Sequence, residues 1–181
     1  MNIRDLRDAD LAAVREIYAG SVRDSLGTFA RVPPGLAEMA RRAQSVRAHD
    51  LPWLVAEEDG EVHAYAYASP FRPRWGYRFT VEDSVYVAPA AQGRGLGRAL
   101  LSELIGRCEA KGLRQMLAVI GDSGNTASIG LHRALGFEDV GLGRSVGHKQ
   151  DRWVDIVIMQ RALGRGDRTA PDAPGLALPE D

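Results

Sequence analysis

The 181-residue chain is 45% hydrophobic and 26% charged, enough to bury a sizeable core within one globular domain. A net charge of −1 gives no overall field to gather nucleic acid or an anionic membrane, so any anion site must be local. The single cysteine, Cys108, excludes an intramolecular disulfide, no Cys/His cluster has metal-ligand spacing, and the opening MNIRDLRDADLAAVREIY is broken by acids, unlike a signal peptide or membrane span. These features lead us to expect a soluble, cytoplasmic protein without metal, nucleic-acid or membrane partners.

In chain order, Asn2 to Leu6 reads as a short strand, and Asp8-Ala9-Asp10 offers a helix start before Leu11, Val14, Ile17 and Tyr18 recur at helical spacing. After the loop DSLGTFARVPP, a second helical pattern covers roughly Leu36 to Arg47. WLVAEEDGEVHAYAYAS then gives two alternating runs joined at Asp59-Gly60, a hairpin signal. A further strand, about Arg78 to Val87, enters the glycine-dense turn AAQGRGLGR. Beyond it Leu96, Leu100, Leu101, Leu104, Ile105 and Cys108 form one apolar stripe ending at Gly112. A strand (Gln115 to Ile120), a helix from Asn125 to Gly136, and strands around Phe137 to Val146 and Trp153 to Arg161 complete an α/β domain over residues 1–163. Trp53, Trp75 and Trp153 read as packing residues. Residues 164–181, GRGDRTAPDAPGLALPED by composition, read as a disordered tail.

The glycine turn carries the first functional signal. Removing side chains just before a helix N-terminus lets a phosphate reach unpaired N–H groups at the positive end of the helix dipole. There is no G-x-x-x-x-G-K-[ST], and Gly93, Gly95 and Gly97 place Arg98 where the dinucleotide fingerprint needs a small residue. The pattern that fits is Q-x-x-G-x-G, as Gln92, Gly95 and Gly97. On spacing alone, a phosphate cradle and a plain tight connection explain it equally. Downstream, NTASIGLHRALGF places Asn125 as an N-cap, Ser128 three residues on, and Gly136 at the helix end.

The two motifs in order, Q-x-x-G-x-G and then N-x-x-S-x-x-L-H-x-x-x-G-F, resemble the acetyl-coenzyme A site of the GNAT superfamily of N-acetyltransferases. GYRFTVEDSVYV and VGHKQDRWVD are similar to its phosphinothricin and methionine sulfoximine/sulfone acetyltransferase group, a likeness running to about Leu163. It implies an α+β fold: a twisted, mixed, mainly antiparallel sheet flanked by helices and splayed between its fourth and fifth strands, where acetyl-CoA enters as co-substrate. The cofactor contacts it implies are Tyr86, Val87, Gln92, Gly93, Arg94, Gly95, Leu96, Gly97, Arg98, Asn125 and Ser128. A homodimer is implied as well.

An amine must lose a proton before attacking a thioester, and a thiolate must leave, so a base and an acid are sought. Alternation puts Glu82, Ser84 and Tyr86 on one face of their strand and Asp83, Val85 and Val87 on the other. By itself Glu82 reads as a solvated edge-strand acid and His132 as a packed or surface histidine. The resemblance makes Glu82 the general base, acting through water, and His132 the candidate acid. Arg72 and Arg74, two apart before the catalytic strand, suit a carboxylate. Phe29 and Lys149 match acceptor-pocket positions of the group. Ala64, Asp151 and the DSLG loop depart from its pattern and leave the acceptor open. A small amine acceptor is the expectation; a polypeptide amine, or a binding module without turnover, are the alternatives.

Overall fold

A computed structural model describes residues 1–179. The chain runs β1 (Asn2–Asp5), a 3-10 turn, α1 (Leu11–Asp24), α2 (Leu36–Ala48), β2 (Trp53–Glu58), β3 (Glu61–Pro70), a 3-10 turn at Trp75–Tyr77, and β4 (Thr80–Val87). It continues through a 3-10 turn at Pro89–Ala91, α3 (Leu96–Ala110), β5 (Gln115–Gly121), α4 (Thr126–Ala134), β6 (Glu138–Lys149) and β7 (Arg152–Ala162). The strands form one open, mixed sheet in the order β1-β2-β3-β4-β5-β7-β6. Every neighbouring pair is antiparallel except β4–β5. Among the described residues no helix is long and apolar enough to cross a membrane.

Strand alternation sorts the two helical layers. On β3, Ala64, Ala66 and Ala68 lie opposite Val87, Val85 and Asp83 of β4, and all three alanines are fully buried. Having only methyl groups, they let α3 lie close to the sheet, where Leu100, Leu101 and Leu104 are fully buried. Gly97 extends this approach, because an added Cβ would already touch Leu131, Val87 and Val85. The opposite face is aromatic. Tyr65 stacks on Tyr86 at 5.0 Å, Trp53 on Tyr67 at 4.4 Å, and Tyr18 of α1 meets Tyr86 edge-on at 5.2 Å. β4 therefore separates an α1 side, holding Glu82, from an α3/α4 side, holding Asp83.

Three sequence expectations differ from the structure. Only Trp53 of the tryptophans packs in the core; Trp153 is 66% exposed, and Trp75 lies at the surface under the Arg78 guanidinium, 3.3 Å from its ring centre. β6 runs to Lys149 rather than Val146, because pairing with β7 resumes at Gly147 after a bulge. Residues 164–179 have no helix or strand, yet they are docked rather than detached. The buried Arg114 guanidinium donates to the Gly166 carbonyl at 3.0 Å, Thr169 Oγ1 at 3.2 Å, the Ala170 carbonyl at 3.0 Å and Asp172 Oδ1 at 3.3 Å. The Leu176 amide then donates to the Arg78 carbonyl at 2.7 Å.

Candidate active site

β4 and β5 pair only at Thr80–Gln115, Val81–Met116 and Glu82–Leu117. Beyond Glu82 they part, while β3 accompanies β4 as far as Val87. The β5-facing edge of β4 around Tyr86 and Val87 thus has no partner strand, which leaves main-chain groups for an extended ligand to meet.

That cleft leads to the glycine turn. Gly93 (φ 75°) and Gly95 (φ 81°) adopt left-handed backbone, and a Cβ at either would meet open space. Glycine is needed here for conformation and clearance, not for internal packing. Gly95 is the N-cap of α3, and no side chain caps the helix, so the N–H groups of its first turn at Leu96, Gly97 and Arg98 face outward unpaired. Gln92, Arg94 and Arg98 are exposed around them, with Arg94 ion-paired to Glu58. An uncapped helix start with cleared backbone and cationic borders fits a phosphate-bearing ligand.

α4 is held differently. Asn125 Oδ1 accepts from the Ser128 amide at 3.2 Å, so the cap is satisfied from within the chain. Asn125 and Ser128, expected as cofactor contacts, are here the residues that start the helix beside the cleft.

Glu82 sits at the apex of the splay, as the last β4 residue paired with β5. Burial raises its carboxyl above the ordinary glutamate range, the charge of Asp83 adds to that, and Arg72 opposes it. Arg72 is exposed, with its guanidinium 5.3 Å from the Phe71 ring centre. Arg74 is exposed and has no carboxylate partner among the described residues.

His132 lies buried on the α3/α4 side of β4 with both ring nitrogens in contact with the chain. It is 3% exposed, its Nδ1–H donates to the Ser128 carbonyl at 2.7 Å, and its Nε2 lies 3.0 Å from Asp83 Oδ2. Burial pulls the imidazole down, but the Asp83 bond and charge together with the Ser128 carbonyl outweigh it, and the net shift is upward. Neither ring nitrogen is free to face the cleft. Asp83, which the sequence placed on the far face without a task, is its partner.

Lys149 is held by the chain itself. Its ammonium donates to the carbonyls of Ser25 at 2.8 Å and Thr28 at 2.7 Å, tying down the 25–29 loop. Phe29, 43% exposed at the end of that loop, lies against Gly147, where a Cβ would fall 2.0 Å from its ring. Gly121 likewise clears the Leu26 carbonyl. The sequence pattern gave no sign of these two glycines.

The profile of the acetyltransferase (GNAT) family matches residues 14–137. The phosphinothricin N-acetyltransferase of Alcaligenes faecalis is 54% identical over 94% of this chain and 86% of its own. The L-methionine sulfoximine/L-methionine sulfone acetyltransferase of Pseudomonas aeruginosa is 43% identical over 94% of this chain and 98% of its own. The crystal structure of a phosphinothricin acetyltransferase from Sinorhizobium meliloti in complex with acetyl-CoA superposes with a TM-score of 0.91 at 50% identity, covering 94% of this chain and 92% of that one. The splayed sheet, the uncapped glycine turn and these likenesses agree: the chain belongs to the GNAT family and is an acetyl-CoA-dependent N-acetyltransferase.

Proposed function

We propose that the chain acetylates the amine of a small amino-acid-like acceptor of the phosphinothricin or methionine sulfoximine/sulfone type, with Glu82 as general base. The observation that carries this reading is the place of Glu82, half-buried at the point where β4 leaves β5, on the strand that ends in the glycine turn. A carboxylate with raised proton affinity suits removal of an ammonium proton near neutral pH, directly or through water. Acetyl-CoA, when bound, supplies a thioester carbonyl open to attack by the freed amine. The backbone of Gln92, Gly93, Gly95, Leu96 and Gly97, with Arg94 and Arg98, would hold its phosphates. The open edge at Tyr86 and Val87 would meet its amides and offer an N–H to the developing oxyanion. Arg72 and Arg74 would hold the acceptor carboxylate, and Phe29 would wall the pocket.

Release of thiol from acetyl-CoA tests the acceptor class. Methionine sulfone, methionine sulfoximine and phosphinothricin should support it, while the same compounds with the carboxylate amidated should lose it by one or more orders of magnitude, since a hydrogen bond to a charged group is worth about 1.5–3 kcal/mol. Equal rates on carboxyl-blocked peptides would favour a polypeptide acceptor, and no release with any amine would favour a binding module.

The same reading makes the enzyme a cytoplasmic homodimer. Val140, Leu142, Val146 and Trp153 are exposed on the β6–β7 hairpin, apolar surface of the kind that marks a protein contact. The unpaired, buried Cys108 suits a reducing compartment. Sedimentation at monomer mass, or recovery outside the cytoplasm on cell fractionation, would overturn these two placements.

A further inference from the structure

We propose that Asp83 and His132 form a buried carboxylate–imidazolium pair that governs, from the opposite face of β4, how firmly Glu82 holds its proton. The inference rests on the reading of Glu82 as base and assigns both residues as positioning residues acting through it.

The geometry fixes the proton count. The Ser128 carbonyl can only accept, so Nδ1 of His132 carries a proton. Nε2 faces Asp83 Oδ2 at 3.0 Å, and that contact also needs a proton between two potential acceptors. Either the imidazole is doubly protonated or the carboxyl is neutral. The pair is sealed, with side chains 4% and 2% exposed, and Asp83 Oδ1 has no hydrogen-bond partner among the described residues. The unpartnered Oδ1 is a cost of ionising the carboxyl, and the charge-assisted bond from a doubly protonated imidazole to Oδ2, with Nδ1–H held by the Ser128 carbonyl, is what offsets it in this proposal.

The charges around the two carboxylates can be named from each packed element. Glu82 feels the charges of Asp83, its chain neighbour, and of Arg72 after β3, and its own charge acts on Tyr67 of β3 and Tyr86 of β4. Asp83 is faced by His132 of α4 and by Cys108 of α3, whose thiol burial and the Asp83 charge push up to about 12, so it stays neutral. Tyr67 and Tyr86 are uncharged in the working range, since burial raises both hydroxyls. The anion nearest to Glu82 along the chain is thus Asp83, and His132 stands behind it. The carboxylate acts on Glu82 more strongly than its partner cation does, and the balance favours the proton on Glu82.

Asp83→Asn is the informative variant because the pair can stay hydrogen-bonded: the Asn amide would donate to Nε2 of a neutral His132 whose Nδ1–H still donates to Ser128. In the ¹⁵N spectrum of the wild-type protein at pH 7.5, His132 should show two protonated ring nitrogens. In Asp83→Asn it should show one, at Nδ1. The Glu82 carboxyl, followed by ¹³C NMR, and the acid limb of kcat/KM should both move to lower pH in the variant. A neutral His132 in the wild type, which needs no variant to be read, or an unmoved Glu82 titration in a folded Asp83→Asn protein, overturns the proposal. Full turnover in Glu82→Gln would instead sink the base assignment while leaving the ion pair standing, so the two failures are separable.

Discussion

Gly95 and Glu82 show how single residues carry opposite demands. At Gly95 the backbone is left-handed and a Cβ would meet open space, so a substitution there is felt by the ligand before it is felt by the core. Gly95→Asp places a carboxylate beside the first-turn N–H groups of α3 and costs a left-handed strain of about 1–2 kcal/mol, of which N-capping returns only a few tenths. The fold should survive with a modest fall in Tm, and calorimetry should find acetyl-CoA affinity lost, because the phosphate site now holds an anion of its own. Unchanged affinity would remove the turn from the cofactor site. Alternation in TVEDSVYV only put Glu82 and Asp83 on opposite faces, and the family resemblance singled out Glu82; its apex position was not legible, because the end of β4–β5 pairing depends on where the two strands diverge.

At the scale of elements, local signals were read well and long-range partnerships were not. The β2–β3 hairpin, the α3 stripe and the Asn125 cap follow from neighbours a few residues apart. The Asp83–His132 contact spans 49 residues and the Lys149–Thr28 contact spans 121, so no periodicity could announce either. The tail makes the same point: a Gly- and Pro-rich composition argues for disorder, yet one buried guanidinium gathers four of its acceptors. Arg114→Ala should free this segment and destabilise the fold by about 2 kcal/mol or more, given about 1.5–3 kcal/mol for a hydrogen bond to a charged group and the entropy the released tail regains. Hydrogen exchange at the Gly166, Arg168 and Leu176 amides checks this. Protection unchanged from wild type would show that the tail is held by something other than Arg114.

Across the whole molecule, one strand joins the two halves of the function. β4 separates an aromatic α1 side from a close-packed α3/α4 side, pairs with β5 only as far as Glu82, and then runs into the turn that starts α3. The α/β class and the order of elements were legible from alternation and helix signals, while the mixed sheet and its splay came only with the family resemblance. The exposed β6–β7 surface was not, since Trp153 looks like a core residue until the topology places its strand beside the sheet's last edge. The central claim is that β4 brings a base to the apex of the acetyl-CoA cleft, and its most direct test is the turnover of Glu82→Gln with saturating methionine sulfone and acetyl-CoA. Glutamine keeps the shape and hydrogen bonding but cannot take the ammonium proton, so kcat should fall about 10²–10⁴-fold with acetyl-CoA affinity unchanged. Turnover near that of the wild type at neutral pH would contradict the account and leave proton removal to solvent.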